Sequence, residues 1–186
     1  DKDSLGGKIL RLRVDGRPAP GNPFDNEVFS YGHRNVQGLA FDADGRLWAS
    51  EFGQQEWDEL NLIREGANYG WPEVEGSRQV KGRTNPKVVW RTRDASPSGL
   101  AYWQGGLWMA GLRGERLWEI PLDGASTRAP IAHFRGDYGR LRTVVVAHDG
   151  NSLLLSNSNT DGRGDPSRDD DRLFRLAEIR FGRRQE

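Results

Sequence analysis

Arginines and hard oxygens are the residues of this chain whose types and spacing could do chemistry. Arg34, Asn35, Gln37, Gln54, Gln55, Arg113, Arg116, Arg140 and Arg142 stand in polar, Gly-rich stretches between apolar runs. Guanidiniums brought to one place would bind a planar, multiply charged anion through bidentate hydrogen bonds and stacking. The run D-E-L-N-L-I-R-E-G-A-N-Y-G-W-P at 58–72 offers a second chemistry. Asp58, Glu59 and Asn61 supply oxygen ligands, and Gly66 and Gly70 let the chain turn so that backbone carbonyls can join them, a donor set that suits Ca2+. The bland alternatives are arginines that only solvate loops, and a strand edge followed by a turn packed by its own aromatics.

Other motifs carry less. N-S-N-T-D-G at 157–162 begins like an EF-hand loop, but the twelfth position is Arg168 rather than Glu and no helices flank it, so it reads as a Gly/Asp-rich turn. Two R-G-D tripeptides, 135–137 and 163–165, have no supporting context and read as chance. His33, His133 and His148 stand on separate units, with neither the spacing of a metal pair nor a triad, so each is expected in a structural or solvent role.

Composition bounds the rest. The 186 residues hold 27 Lys and Arg against 27 Asp and Glu, so no global field favours nucleic acid or an anionic membrane, and an anion site must be local. The absence of Cys excludes disulfides, thiolate catalysis and zinc–thiolate sites. A hydrophobic content of 35% with 24 Gly and 7 Trp describes a globular chain of short elements and many turns. No apolar run approaches the roughly 20 residues needed to cross a bilayer. With no signal peptide before Asp1, the chain is expected to be soluble.

The elements that must position these residues read as strands. Residues 8–14 alternate apolar and basic before Asp15-Gly16, three prolines at 17–24 exclude a helix or central strand there, and 27–31 is a short strand. Gly38-Leu39-Ala40-Phe41, Asp44-Gly45, Leu47-Trp48-Ala49 is then echoed by Gly99-Leu100-Ala101-Tyr102, Gly105-Gly106, Leu107-Trp108-Met109. Val144-Val145-Val146-Ala147, Asp149-Gly150, Leu153-Leu154-Leu155 is a looser third copy. Each hairpin is followed by a third strand, at 59–63, 116–122 and 172–179, and two of these by a fourth, at 87–90 and 130–134.

Four antiparallel strands per unit is the pattern of a propeller blade, and blades run to about 40–50 residues, so the longer first unit holds an insertion at 66–86. The fold class is all-β, a β-propeller of which the chain covers three blades and part of a fourth. The divisions are 1–31, ending a preceding blade, then 32–93, 94–135 and 136–186. Open edges at both ends require further sequence or a second chain to close the ring. The topology also puts the loops at 32–37, 51–58, 94–98, 111–116, 136–143 and 157–170 on one face, which gathers the arginines.

G-H-R-N-V-Q-G-L-A-F, S-E-F-G-Q-Q, D-E-L-N-L-I, G-A-N-Y-G-W-P, A-S-P-S-G-L-A-Y, G-L-R-G-E-R-L-W and G-R-L-R occur in this order. Together they resemble the soluble quinoprotein aldose sugar dehydrogenases, the glucose/sorbosone dehydrogenase family that uses pyrroloquinoline quinone (PQQ), over residues 8 to about 176. The resemblance implies a six-bladed propeller that oxidises aldoses at C1 to lactones with PQQ and Ca2+, passes electrons to an acceptor, and works in the periplasm or outside the cell.

Position by position it implies that Arg34 and Asn35 contact the quinone. Arg113 stands where the family often has Lys, and Arg140 and Arg142 match the basic pair that grips the PQQ carboxylates. Gly53 and Gln54 match the step whose carbonyls hold the cofactor-bridging Ca2+, and Glu59, by side chain, and Tyr69, by carbonyl, match a second calcium site. Three positions depart from the family pattern: Phe52 replaces His or Gln, Gln54 replaces Pro, and Thr143 replaces Asp. The family's proton-abstracting His lies upstream of G-K-I-L-R, so this chain is expected to supply the cofactor clamp without a catalytic residue. The rival readings are a non-catalytic half-propeller that pairs with a copy of itself or a partner, and a calcium-dependent propeller lactonase. The many arginines and few axial acids oppose the latter.

Overall fold

The computed structural model describes residues 1–177, which form strands and no helix. β1 (Lys8–Leu10) pairs antiparallel with β2 (Val28–Tyr31). A four-stranded antiparallel sheet follows, in the order β3 (Val36–Phe41), β4 (Leu47–Glu51), β5 (Trp57–Ile63), β6 (Val88–Arg91). The third sheet is built on β7 (Pro97–Trp103), β8 (Gly106–Gly111) and β9 (Arg116–Asp123), with β10 (Ser126–Thr127) and β11 (Ile131–His133) both pairing with β9. The fourth is β12 (Leu141–Val146), β13 (Ser152–Asn157) and β14 (Leu173–Ala177). The all-β expectation therefore holds, and no described helix is long and apolar enough to cross a membrane.

Turn chemistry makes each hairpin. Between β3 and β4 the Asp42 carboxylate accepts the N–H groups of Asp44 (3.0 Å) and Arg46 (2.9 Å), the Arg46 Nε (2.7 Å) and the Trp48 indole N–H (2.9 Å). Burial alone would raise the pKa of this carboxyl, but those hydrogen bonds outweigh it and hold it below the usual carboxylate range. Between β7 and β8 the turn is Gln104-Gly105, both at positive φ (49° and 82°), the conformation that suits a two-residue hairpin; Gly106 already belongs to β8. Between β12 and β13 Asp149 accepts from Asn151 N (3.0 Å) and Ser152 Oγ (3.1 Å).

The repeated glycine at the start of the first two hairpins has a packing reason. β7 lies between β3 and β12. A Cβ on Gly38 would stand 2.7 Å from Leu100 Cβ and from the Ser98 carbonyl, and one on Gly99 2.9 Å from Val144 N. Only a residue without a side chain allows the neighbouring strands this close. Sheet 3 is consequently buried on both faces, and its strands alternate between two cores. Leu107 and Met109 join Trp48, Leu60 and Trp90, whereas Trp108 and Ala110 join Leu141, Val144, Leu153 and Leu155.

Some elements differ from expectation. The strand expected at 8–14 stops at Leu10, and Leu12 makes only an isolated bridge to Pro18, because the prolines that follow cannot sustain a ladder. The short β10 adds a strand to sheet 3 that the sequence reading did not include. Residues 66–86 hold no strand, but the insertion folds back on β2 through Tyr31 N to Ala67 O (3.1 Å) and Tyr69 N to Tyr31 O (2.9 Å). The far end of the strand expected at 172–179 lies outside the described residues.

Asp42 organises the first of these turns from a buried position, so Asp42→Ala leaves four donors without it. The expected cost is about 2 kcal/mol or more in urea unfolding. A loss below about 0.5 kcal/mol would mean that the turn forms without the carboxylate.

Candidate functional site

Hydrogen bonds join the loops at one end of the sheets into a single surface. Phe52 N donates to Asn35 O (3.1 Å), and Arg34 Nη1 reaches Phe52 O (3.4 Å). Asp58 accepts Gly53 N (3.0 Å) with one oxygen and Ser96 N (2.7 Å) with the other, tying sheet 2 to the loop that enters sheet 3. Leu112 N donates to Ser96 O (2.9 Å), Gly136 N to Glu115 O (2.8 Å) and Ser158 N to Arg140 O (2.8 Å). All six loops expected on one face are reached by these contacts.

Two concavities lie on this surface. The first is a recess of about 300 Å3 lined by Phe52, Ser96, Leu112, Arg113, Arg140 and Arg163. Arg140 is 6% exposed; its backbone N–H donates to Asn159 Oδ1 (2.8 Å) and its Nη2 to Asp161 Oδ2 (3.0 Å), while its Nε is buried without a partner. Arg142 is exposed, two residues along β12. Arg116 stands apart: its Nε donates to Gly114 O (2.5 Å), its guanidinium packs on Trp118, and burial together with the charge of Arg135 lowers its pKa. Arg34 lies over Trp71 (5.5 Å), and Asn35 accepts a side-chain bond from Gln37 (2.7 Å).

The second is a small cavity of about 10 Å3, room for a single water-sized sphere, whose lining includes Gly32, Glu51, Gly53, Glu59 and Tyr69. Glu51 and Glu59 face each other across β4 and β5. Asn61 Nδ2 donates to both (2.9 and 3.0 Å), and its Oδ1 is buried without a partner. Glu51 also meets His33 Nδ1 (3.3 Å) and accepts Arg34 N (3.1 Å), and Glu59 accepts Gly76 N (2.6 Å). Burial pushes the Glu59 carboxyl up to about 7, with Glu51 and Glu75 adding to the rise against the bonds from Gly76 and Asn61. Directly opposed carboxylates repel unless a proton or a cation lies between them. Among the described residues no group of three or more His, Asp or Glu side chains is placed to hold a metal ion, so further cation ligands here would be backbone carbonyls.

The Tyr69 hydroxyl donates to Leu62 O (2.6 Å) and accepts Arg64 N (2.9 Å), which leaves only its carbonyl as a candidate ligand. Its ring stacks on His33 (4.6 Å), whose Nε2 meets Ser30 Oγ (2.8 Å). The structural role expected for His33 is thus what its surroundings support. Gly53 can be nothing larger, since a Cβ would fall on the Trp57 carbonyl oxygen. Gln54 N is held by Glu75 (2.7 Å), and this residue lines a different groove, with Glu56, Trp57 and Trp71. Gly53 thus shares a cavity with Glu59 and Tyr69, residues that the resemblance assigns to a different ion, while Gln54 stands outside it.

Sequence reasoning did not single out Glu51, Glu75, Asp161 and Arg163, and Asp58, read there as an oxygen ligand, serves in the structure as a strap between two loops. Glu51 was within reach: the β4–β5 register alone sets it opposite Glu59. Glu75, which accepts N–H groups from Gln54, Glu56 and Trp57, sits in the insertion and had no periodicity to mark it.

The sequence profile of the Glucose / Sorbosone dehydrogenase family matches residues 1–165. The chain is 30% identical to aldose sugar dehydrogenase YliI of Escherichia coli over 86% of its own length and 50% of that protein. Over a shorter stretch, 41% of this chain and 17% of the other, it is 50% identical to quinoprotein glucose dehydrogenase B of Acinetobacter calcoaceticus. It superimposes on the PQQ-bound form of aldose sugar dehydrogenase from Streptomyces coelicolor with a TM-score of 0.92 and 60% identity, covering 95% of this chain and 53% of that one. The chain thus spans about half the length of the relatives it matches over most of its own length, and its all-β fold is that of PQQ sugar dehydrogenase propellers. On sequence and fold alike, the chain belongs to the glucose/sorbosone dehydrogenase family.

Proposed function

We propose that this chain is the cofactor-clamping portion of a PQQ- and calcium-dependent dehydrogenase that oxidises aldose sugars at C1 to lactones and passes the electrons to an external acceptor. One observation carries the reading: a recess lined by three guanidiniums, in which buried Arg140 keeps an unpartnered Nε, in a chain 60% identical to an aldose sugar dehydrogenase solved with PQQ bound. An anionic, planar polycarboxylate satisfies that donor set.

In this reading Arg34 and Asn35 bind the quinone, and Arg113, Arg140 and Arg142 orient its carboxylates, while Phe52 and Leu112 keep water from the recess. PQQ, when bound, supplies the two-electron redox chemistry. Calcium fits the small cavity by size and by donor type, because Glu51 and Glu59 oppose each other there. Glu59 and the Tyr69 carbonyl would hold one ion, and the carbonyls of Gly53 and Gln54 would hold a second, which would supply Lewis-acid polarisation of the quinone. We assign no catalytic base in this chain: His33 is occupied between Ser30 and Glu51 beneath Tyr69. Sheets 2, 3 and 4 are read as successive blades of a six-bladed propeller, at 32–93, 94–135 and 136–186, and β1–β2 as the end of the blade before them.

A second reading, a half-propeller that closes by pairing with a copy of itself, is favoured by exposed apolar side chains in the groove between β1–β2 and sheet 2 and on sheet 4. These are Leu39 and Phe41 on β3, and Val145 and Leu173 on sheet 4. A sedimentation mass of one chain, with an intact sheet, would remove it.

Titration with PQQ in the presence of Ca2+, followed by the quinone absorbance, is expected to show binding. Arg140→Ala with Arg142→Ala should weaken it by roughly tenfold or more for each charge-assisted hydrogen bond removed. Unaltered binding in that double variant would sink the cofactor assignment. The chain alone should show no dye reduction with aldoses, and robust turnover would mean that a base had been overlooked.

Glu59 makes the metal testable without PQQ. In the unfolded chain its carboxyl ionises near 4.5, whereas in the folded, metal-free chain it keeps its proton to about 7. The folded state therefore binds more protons between these values, and the stabilisation present below pH 4.5 is lost as pH rises to 7. In EDTA, Glu59→Gln should flatten this part of the pH–Tm profile. Because Ca2+ needs the ionised carboxylate, its affinity should fall by roughly tenfold per pH unit below 7. Calcium stabilisation that is independent of pH, or that survives in Glu59→Gln, would place the ion elsewhere.

A further inference from the structure

The second R-G-D tripeptide, which reads as chance in sequence, brings Arg163 to the wall of the basic recess. Its position is closely determined. Asp161 accepts Arg163 N (3.0 Å) with one carboxylate oxygen and Arg140 Nη2 (3.0 Å) with the other, so a single side chain sets both the loop turn and the buried guanidinium. Gly164 follows because a Cβ there would stand 2.7 Å from Arg140 Cδ and 2.9 Å from the Asn159 carbonyl. The loop is anchored at its far end as well. Asp170 holds the Asn157 and Asn159 amides (2.8 and 2.9 Å), and Asp171 holds Asn159 N and the Thr160 hydroxyl (2.7 and 2.8 Å).

The charge balance at this point is uneven. Arg113, Arg140 and Arg163 line one recess, Asp161 is the carboxylate that pairs with Arg140, and among the described residues neither Arg113 nor Arg163 has an ion-pair partner. A hydrogen bond from Arg140, outweighing the effect of burial and joined by the charge of Arg142, holds the Asp161 carboxyl below its usual range, so it stays ionised at neutral pH and cannot serve as a donor to an anion. Two guanidiniums without counter-charge, brought beside a third whose Nε is buried and unpartnered, form a site for an anion with more than one carboxylate.

We propose that Arg163 is a further cofactor-binding residue, pairing with a carboxylate of the quinone from the wall formed by the 157–172 loop, and that Asp161 is a positioning residue that aims Arg140. This inference rests on the PQQ reading above and adds to it a residue and a loop that the family motifs do not indicate.

The test is a titration of the full chain, in Ca2+, with PQQ and with its trimethyl ester, which keeps the ring and removes the carboxylate charge. Arg163→Ala is expected to lower PQQ affinity by roughly tenfold while leaving ester affinity within about twofold, so that the preference for the acid shrinks. Arg163→Lys should retain part of that preference, and Arg168→Ala, on the same loop but away from the recess, should leave it unchanged. Asp161→Asn separates positioning from charge: a mere counter-charge, once removed, would tighten binding of the anion, whereas a residue that aims Arg140 must weaken it. An unchanged acid-over-ester preference in Arg163→Ala, or an equal loss for both ligands, would overturn the assignment of Arg163. Tighter PQQ binding in Asp161→Asn would overturn that of Asp161. Failure of the unmodified chain to bind PQQ at all would instead sink the cofactor reading itself.

Discussion

The spacing between neighbouring sheets is the constraint on which the rest of this structure depends. Gly38 and Gly99 occupy equivalent places at the start of their hairpins, and at each a methyl group would collide with the next sheet. Their lack of a side chain brings β3, β7 and β12 together, and this in turn brings the loops at one end within hydrogen-bonding distance. The basic recess is not the property of any one loop. Phe52 enters from sheet 2, Ser96 and Arg113 from loops of sheet 3, and Arg140 and Arg163 from loops of sheet 4. A wider spacing would leave the same residues on three separate loops.

Anchoring by carboxylates is the second theme. Asp58 holds the loop at Gly53 to the loop at Ser96, Glu75 gathers the N–H groups of Gln54, Glu56 and Trp57, and Asp161 holds Arg140. These acids are spent on backbone and guanidinium donors, and several titrate below the usual carboxylate range for that reason. Asp58 goes the other way, because its burial outweighs the bonds from Ser96 and Gly53. Glu59 is the more telling exception, since burial and the facing Glu51 drive it up to about 7. The acids that stabilise geometry and the acids suited to a cation are thus distinguished by their partners and not by their type.

Much of the fold was legible in the sequence because the sheet signals are local. Alternation of apolar residues and D-G or G-G turn signals place the first two hairpins within two residues of their observed positions, although the second turn is Gln104-Gly105 and β12 begins three residues before Val144. The early end of β1, the unforeseen β10 and the path of residues 66–86 were less legible. Pro18 and Pro20 act on a ladder from across a turn, and the insertion takes its shape from hydrogen bonds to β2, far from it in sequence.

The sequence by itself determined the fold class, the family and the supply of guanidiniums and oxygens, all of which follow from residue types at short separations. Only the tertiary structure decided which of them meet. It gathered Arg113, Arg140 and Arg163 but left Arg116 packed on Trp118, and it made Asp58 a strap between two loops. It also set Gly53 beside Glu59 and Tyr69 while keeping Gln54 outside. The physical reason is that such a site is made between sheets. Its geometry depends on close approaches and buried hydrogen bonds between residues tens of positions apart, and no local pattern encodes them.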